Sequence, residues 1–494
     1  MLDNSNLLKR EKYLLILFGL IVGLAFDFLF YNKTLGISYP IFIVLLFIVF
    51  FLNIKISNVS VNKKAWILAV PIFLLSTTFW LYSNMVLKVL NYLIIPVLMI
   101  VLSILISGIN KANWPDLRFI ADIIKRIFVP FGSIHKPFTT FFEMVGLNTK
   151  DNKKTIALKI LAGVVISIPI LIIIILLLSS ADIVFKNLFT NIPFEKIIKH
   201  VAVKHTLIVL VVSVYTFSFI FSIFKAKKQN EKKMYDKIKW KLFLDPTVLL
   251  TVLSLLNIVY IIFAVIQFAY LFGGNSFVHP SSFTYAEYAR RGFFELIVVA
   301  IINFGILLFS ITFVKKESRK ANVVINAFLS AIVVFTFVLL VSAFYRMVLY
   351  ETAYGYTYLR IFVQTFMILL FIIFIINLVY IWYRRFPIIK SYILCSLIIY
   401  IILNFANVDV IIAKNNISRY YSTGEIDIYY LPELSYDAIP EMTKLLDSDD
   451  KEIVNAVNDY FEREKEILEG QGQWQSYNFS KIKALKVLDK YINK

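Results

Sequence analysis

The sequence predicts an all-α, polytopic integral membrane protein, and two observations support this prediction. First, 59% of the 494 residues are hydrophobic and only 17% are charged, whereas soluble domains average about 45–50% apolar and about 25% charged residues. Second, the apolar residues form long runs of about 20, the helix length that crosses a hydrocarbon core of about 30 Å. A soluble protein is excluded, and we expect a bundle of about eleven transmembrane helices followed by a small C-terminal helical domain.

The predicted membrane spans follow the hydrophobic runs in chain order. They lie at residues 13–31, 37–54, 65–82, 86–109, 155–180, 206–224, 246–271, 293–314, 322–349, 357–382 and 388–406. The first run lacks the small-residue cleavage site of a signal peptide and is longer than a usual signal-peptide core. We therefore interpret it as a retained span.

The distribution of Lys and Arg between the loops predicts the orientation, because basic segments resist translocation. With the N-terminus inside, the inner segments carry 28 Lys and Arg residues and the outer loops carry 9. An odd number of spans then places the C-terminus outside. We expect a cytoplasmic N-terminus and an extracytoplasmic C-terminus.

Two inner segments are predicted to contact the lipid bilayer. Residues 116–131 place their apolar side chains on one helical face, which is typical of a helix lying on the inner leaflet. The loop 225–241 carries eight Lys residues against Glu231 and Asp236, so it is a weak candidate for binding anionic lipid headgroups on the cytoplasmic face. Enforcement of topology is the alternative. The candidate residues in this loop are Lys227, Lys228, Lys232 and Lys233.

The charge balance changes after the last span and predicts a domain boundary there. Residues 407–494 carry 16 acidic and 11 basic residues, although the whole chain has a net charge of +19. The basic excess therefore lies in the inner loops of the membrane part and does not indicate nucleic acid as a partner. We expect a transmembrane bundle at 1–406 and a small extracytoplasmic domain at 407–494, with helices near 441–446, 451–468 and 481–491.

A polar segment precedes the eighth span at the predicted outer membrane edge. Glu287, Arg291 and Glu295 are spaced four residues apart and share one helical face, with Arg290 beside them. Charges at the headgroup boundary have to be paired. The segment is a candidate ligand-binding surface, and a capping box from Thr284 with internal salt bridges is the alternative.

The next outer turn carries a second polar group, Arg346, Glu351 and Arg360, among several tyrosines. Gly355 and Thr357 supply ordinary turn and capping chemistry for the two helices that meet there. An aromatic belt at the membrane interface accounts for the tyrosines. The alternative is that these arginines join Glu287 and Glu295 in an outward-facing site for an anionic or amphipathic ligand.

Enzyme and metal signatures are absent from the sequence. It contains no P-loop, no G-x-S-x-G, no H-E-x-x-H and no C-x-x-C, and it has one Cys and four His. We predict no catalytic residues, no metal site and no cofactor. Asp27 and Asp182 lie near the outer ends of their spans, so no carboxylate sits deep enough to indicate an ion pathway. His200 and His205 are expected in an outer loop.

The segments YAEYARRGFFEL, LYETAYGYTYLR and NVDVIIAKNNISRYYSTGEIDIYYLPELSYDAIPEM resemble a family of bacterial multi-pass membrane proteins known only as a domain of unknown function. The resemblance implies a bacterial plasma-membrane protein and no particular activity. The motif positions are Tyr285, Glu287, Tyr288, Arg290, Arg291, Gly292, Glu295, Arg346, Tyr350, Gly355, Arg360, Asn415, Arg419, Tyr420, Asp427, Tyr430, Leu431, Asp437 and Pro440.

The leading functional hypothesis is a non-enzymatic envelope protein. It would recognise a lipid, peptide or protein partner at the outer Arg/Glu/Tyr site, in sensing or in support of a membrane complex. A transporter or flippase is the first alternative. A transferase that uses a lipid-linked donor is the second, and the question of enzymatic activity stays open.

Overall fold

The computed structural model describes residues 4–56, 62–109, 118–144, 201–229, 242–272, 293–315, 318–470 and 472–492, together with Leu171, Ile174, Leu178 and Phe185. All regular structure in these ranges is helical. The α-helices in chain order are α1 (Asn4–Phe30), α2 (Ser38–Ile56), α3 (Ala69–Leu81), α4 (Met85–Ser107), α5 (Arg118–Phe128), α6 (His135–Met144), α7 (Val201–Gln229), α8 (Pro246–Phe272), α9 (Phe293–Phe313), α10 (Arg319–Tyr354), α11 (Tyr358–Trp382), α12 (Ile388–Phe405), α13 (Val408–Thr423), α14 (Ile439–Met442), α15 (Lys451–Glu469) and α16 (Phe479–Ile492).

Ten of the described helical segments are long and apolar enough to cross a membrane. They coincide with ten of the predicted spans, and the predicted span at 155–180 lies outside the described residues. The prediction of an all-α, polytopic membrane bundle is confirmed. The hydrophobic runs identify these helices because each run must cover the hydrocarbon core by itself.

Several helix ends follow directly from local sequence. The Asp245 carboxylate accepts a hydrogen bond from the Thr247 N–H at 2.8 Å, and Pro246 is the first residue of α8. The Ser318 hydroxyl accepts from the Ala321 N–H at 3.3 Å at the start of α10. Thr357 precedes α11 as expected, but its side chain makes no capping hydrogen bond.

The described chain forms two compact units, and the first comprises residues 1–81, 88–235 and 471–479. Its centre is the antiparallel pair α1 and α7, around the buried side chains of Leu15, Val22 and Phe217. A Cβ added at Gly19 would lie 2.8 Å from the Ser213 carbonyl oxygen. The two backbones therefore approach closely because glycine faces the partner helix.

The predicted interfacial helix also belongs to the first unit. The observed α5 is Arg118–Phe128, followed by a 3₁₀ turn at Val129–Ser133. Ile120, Ile124 and Phe128 are exposed on one side of it. Such an apolar, unburied face on a short helix is typical of an element that lies on a leaflet.

The second unit comprises residues 82–87, 236–470 and 480–494. Helices α8 to α11 share one apolar core, in which Leu253, Leu329 and Phe374 are fully buried. Neutral polar side chains connect these helices: the Tyr260 hydroxyl donates to Asn303 Oδ1 at 2.5 Å, and Asn303 Nδ2 donates to the Thr336 hydroxyl at 2.9 Å. Such bonds position transmembrane helices against each other.

The end of the chain packs into a second core of the same unit. Ile412, Phe461 and Leu488 are buried there together with Leu87 from the first turn of α4. The helices expected near 451–468 and 481–491 are α15 and α16, and the segment expected at 441–446 is divided between α14 and a 3₁₀ turn. Helix α13 was not predicted. The proposed domain boundary between residues 406 and 407 stays a prediction.

Candidate functional site

The predicted outer turn between α10 and α11 packs onto α13. Gly355 has φ +83°, and Asn416 of α13 makes two hydrogen bonds to the next residue. The Tyr356 N–H donates to Asn416 Oδ1 at 2.6 Å, and Asn416 Nδ2 donates to the Tyr356 carbonyl at 2.9 Å. Arg419 donates to the carbonyl oxygens of Thr352 at 2.9 Å and Ala353 at 2.5 Å. The Arg419 side chain of α13 thus satisfies two of the last carbonyls of α10, and Asn416 holds the residue after Gly355.

Tyr430 gives this turn a further support. Its hydroxyl oxygen accepts the Tyr358 N–H at 3.0 Å, at the start of α11. Burial raises the pKa of the Tyr430 phenol, so the group is neutral at ordinary pH. The turn chemistry predicted for Gly355 is therefore correct, and the contacts that fix the turn come from residues about 60 to 70 positions away.

The charged residues of the predicted site at this turn make local contacts. The Glu351 side chain is buried, and one of its oxygens accepts from Gln364 Nε2 at 2.6 Å. The Arg360 guanidinium donates to the Gly355 carbonyl and lies 4.3 Å from the Tyr350 ring centroid. Arg346 is half-buried on α10. These contacts stabilise the turn, and a ligand-binding role for the three residues stays a prediction.

The remaining predicted site residues are described only in part. Glu287, Arg290 and Arg291 lie outside the described residues, and Glu295 is exposed in the first turn of α9. A meeting of the two outer turns therefore stays a prediction. Two of the candidate lysines of the inner loop, Lys227 and Lys228, belong to the last turn of α7. The other two, Lys232 and Lys233, lie outside the described residues.

A buried carboxylate that sequence reasoning missed lies beside this turn. Asp409 of α13 is 1% exposed. One oxygen accepts from the Tyr358 hydroxyl and from the Ser435 N–H at 2.8 Å, and the other accepts from Asn84 Nδ2 at 2.6 Å. The Asn84 amide oxygen in turn accepts the Leu87 N–H at 2.8 Å. Asp409 thus joins the α3–α4 turn, the start of α11 and the tail.

Asp437 forms a second junction with the same turn. Its Oδ2 accepts from the Ser83 N–H at 2.7 Å, the Ser83 hydroxyl at 2.9 Å and the Ser435 hydroxyl at 3.0 Å. The Ser83 hydroxyl also lies 3.1 Å from the Ser480 hydroxyl. In the described part of the chain no Lys or Arg pairs with either aspartate. The donors described for both carboxylates are neutral, and together they form a structural junction.

The first unit contains a cavity of about 920 Å³ between α1, α2, α4 and α7. Most described residues that line it are aliphatic or aromatic. The lining residues that carry a polar side-chain atom are Tyr31, Asn32, Tyr39, Tyr92, Ser103, Tyr215 and Thr216. Ligand pockets usually measure about 300–1,000 Å³ and have mainly apolar walls with a few polar groups. The cavity has the size and lining of a binding site for an apolar or amphipathic molecule.

Four of the seven polar lining residues lie at one end of the cavity. Tyr31 and Asn32 follow the last residue of α1, Tyr39 is in the first turn of α2, and the rings of Tyr39 and Tyr92 are 6.5 Å apart. Away from this end the walls of α1 and α2 are apolar, with Val22, Leu46 and Val49 among the lining residues, while Ser103, Tyr215 and Thr216 add isolated polar atoms from α4 and α7.

A histidine and an aspartate in hydrogen-bond contact lie at the same end of the cavity. His205 Nδ1 is 2.6 Å from Asp27 Oδ2, and the side chains are 39% and 15% exposed. The ring of Tyr31, which lines the cavity, lies 4.2 Å from the His205 ring centroid. His205 was expected in a loop, but it lies near the start of α7 because that helix begins at Val201, before the apolar run. No group of three or more metal-ligating side chains occurs among the described residues.

The length and hydropathy of the described helices define a multi-pass membrane protein. The chain belongs to the family described as Domain of unknown function (DUF4153), whose profile matches residues 69–445. The resemblance to a family of unknown function is therefore confirmed. Comparisons with curated proteins and with solved structures gave no match. The matched range contains Asp409, Asp437, α4 and α7, but it does not contain α1 and α2.

Proposed function

We propose that this protein is a non-enzymatic lipid-recognition protein of the bacterial plasma membrane, acting in sensing or in support of another membrane complex. The cavity between α1, α2, α4 and α7 would hold the acyl part of the lipid. The observation that carries the proposal is the volume of about 920 Å³ with mainly apolar walls, within helices that are long enough to cross a membrane. Apolar cavities bind apolar molecules rather than ordered water.

The position of the polar groups supports a lipid rather than a purely apolar ligand. Tyr31, Asn32 and Tyr39 lie where α1 ends and α2 begins. Tyrosines prefer the level of the membrane interface, where lipid headgroups lie. A lipid bound in the cavity would therefore have its chains between the helices and its headgroup beside these residues. We assign this end to the outer face, as predicted from the basic residues of the loops.

Quantitative mass spectrometry of retained lipid tests the proposal. The wild-type chain is purified in a mild detergent, washed extensively and analysed for bound lipid. Thr216→Trp places a large side chain in the cavity, because Thr216 lines it. Thr251→Trp is the matched control, because Thr251 is an exposed threonine on α8 of the other unit.

We expect the wild type and Thr251→Trp to retain lipid in stoichiometric amount and Thr216→Trp to lose it. All three proteins should elute as single species in size-exclusion chromatography, which separates loss of binding from loss of folding. Equal amounts of lipid in wild type and Thr216→Trp after the same wash would reject the cavity as the binding site.

A further inference from the structure

The contact between His205 and Asp27 determines which nitrogen of the imidazole is available to a ligand. Asp27 Oδ2 is 2.6 Å from His205 Nδ1. A carboxylate at this distance accepts the Nδ1–H proton and so fixes the tautomer of the neutral ring. Nε2 is then left with its lone pair. Within the described part of the chain, Asp27 and Tyr31 are the contacts of this ring, and the side chain remains 39% exposed.

The His205 ring does not line the cavity itself but lies beside its polar end, against the ring of Tyr31. Ile208 and Val212 of α7 line the cavity and follow His205 at spacings of three and seven residues, which places all three on one helical face. Tyr31, directly after the last residue of α1, also lines the cavity and follows Asp27 by about one helical turn. A lipid with its chains in the cavity would therefore bring its headgroup to His205.

We propose that His205 Nε2 accepts a hydrogen bond from the headgroup of the lipid in this cavity, with Asp27 as the positioning residue. This inference rests on the proposed function and specifies its ligand: a lipid whose headgroup carries an N–H or O–H donor. The ammonium of an ethanolamine headgroup and the hydroxyl of a glycerol headgroup both qualify. A choline headgroup has neither donor. The carboxylate of Asp27 adds a negative charge that favours the ammonium.

Lipid competition with matched acyl chains tests the inference. The purified protein is exchanged with dioleoyl phosphatidylethanolamine, its N,N-dimethyl derivative, phosphatidylcholine or phosphatidylglycerol, and bound lipid is counted by native mass spectrometry. One hydrogen bond corresponds to a preference of about two- to tenfold. We expect ethanolamine and dimethyl-ethanolamine headgroups to be preferred over choline by this factor. Phosphatidylglycerol carries hydroxyl donors and no ammonium, so its binding relative to phosphatidylethanolamine shows which of the two donors His205 prefers.

His205→Phe keeps an aromatic ring against Tyr31 but removes the acceptor. We expect this variant to bind the same total amount of lipid without a headgroup preference. Asp27→Asn no longer fixes the tautomer and should reduce the preference. His135→Phe is the control, because His135 is an exposed histidine on α6 that does not line the cavity.

The two possible failures differ. If the wild-type protein retains none of the four lipids, the proposed lipid-binding cavity is wrong, and the inference about His205 is wrong with it. If the wild type binds all four lipids equally well, or if His205→Phe keeps the wild-type preference, the cavity stands and the role of His205 is wrong.

Discussion

Asp409 illustrates how neutral donors of the described chain accommodate a carboxylate in an apolar core. Three donors from distant parts of the sequence converge on it: Asn84, Tyr358 and Ser435. Burial of a charge is costly unless hydrogen bonds replace those of water. The three bonds supply this replacement and connect segments that no helix joins. The junction therefore specifies how the α3–α4 turn and the tail meet in the second unit.

We predict that Asp409→Ala destabilises the protein strongly, because three donors lose their acceptor at once. Each buried donor left unsatisfied costs about 1–3 kcal/mol. Asp409→Asn should be nearly as harmful, because its amide nitrogen would face donors. Thermal unfolding of the detergent-solubilised protein measures the effect. Asp459→Asn, at an exposed position of α15, is the control and should leave the melting temperature unchanged. A wild-type melting temperature for Asp409→Ala would show that the junction is dispensable.

Sequence reasoning recovered part of this site and missed part of it for a physical reason. Gly355 was predicted correctly, because a turn glycine acts on the residues next to it. The partners Asn84 and Asp409 are 325 residues apart, and no local pattern connects them. The serine and asparagine of the short α3–α4 turn were the available signal. A polar turn between two spans is ordinary, however, so the signal alone was insufficient.

At the level of elements, glycine determines which helices approach most closely. Gly19 and Gly23 are four residues apart on α1 and both face α7. This G-x-x-x-G spacing is a known signal for close packing of transmembrane helices, and it is visible in the sequence. It could have predicted that α1 packs tightly on another helix. It could not have predicted that the partner is α7, because the spacing contains no information about the other helix.

Gly23→Ala should destabilise the α1–α7 pair. The added Cβ would lie 2.5 Å from the Val209 carbonyl oxygen, so the helices must move apart. Overpacking of this kind costs about 1–3 kcal/mol. Gly305→Ala on α9 is the matched control, because nothing lies within 4 Å of the added Cβ. Alanine is favoured over glycine inside a helix by about 0.5–1 kcal/mol. The melting temperatures should therefore move in opposite directions, and a shift in the same direction would contradict the packing argument.

Gly355 and Gly424 follow the last residues of α10 and α13, and both have positive φ. Gly355 has φ +83° and ψ 177°, a region used almost only by glycine, and an added Cβ would lie 2.7 Å from Asn416 Oδ1. Gly424 has φ +76° and nothing within 4 Å of the added Cβ. Alanine at Gly424 therefore tests the backbone conformation alone, at a cost of about 1–2 kcal/mol.

We predict that Gly355→Ala lowers the melting temperature more than Gly424→Ala. The first substitution strains the backbone and also disturbs the paired hydrogen bonds between Tyr356 and Asn416. Fluorescence-monitored thermal unfolding of both variants in the same detergent measures the difference. Equal losses would mean that the contact with Asn416 adds nothing to the turn.

At the scale of the whole molecule, the lengths of the hydrophobic runs predict how many membrane spans there are. They predict far less well which segments of the chain pack into the same compact unit. Residues 471–479 belong to the first unit, where the Ile37 N–H donates to the Tyr477 carbonyl at 2.9 Å and Asn478 Nδ2 donates to the Phe79 carbonyl at 2.9 Å. The flanking tail residues belong to the second unit. The charge composition predicted a single acidic tail. Net charge describes a segment of the sequence and contains no information about which other residues that segment contacts.

Contacts along α7 show which described segments lie near each of its ends, and the span predicted at 155–180 stays a prediction. Arg126 donates to the Ser222 carbonyl and the Ser218 hydroxyl donates to the Ser133 carbonyl, so residues 126–133 lie beside the C-terminal half of α7. His205 is 17 residues before Ser222, which is about 26 Å of helix at 1.5 Å per residue. Residues 126–133 and the Asp27–His205 pair therefore lie towards opposite ends of α7.

The predicted orientation can be tested by cysteine accessibility, because the chain has a single cysteine, Cys395. In a Cys395→Ala background, Tyr429→Cys lies in the tail at a side chain that is 82% exposed, and Arg385→Cys lies at an exposed position between α11 and α12. With eleven spans and the N-terminus inside, Tyr429 is outside and Arg385 is inside. A membrane-impermeant maleimide should label Tyr429→Cys in intact cells and Arg385→Cys only after permeabilisation. Both variants should react equally in detergent, which controls for reactivity. Labelling of Arg385→Cys alone in intact cells would invert the topology, and the polar end of the cavity beside Asp27 and His205 would then face the cytoplasm.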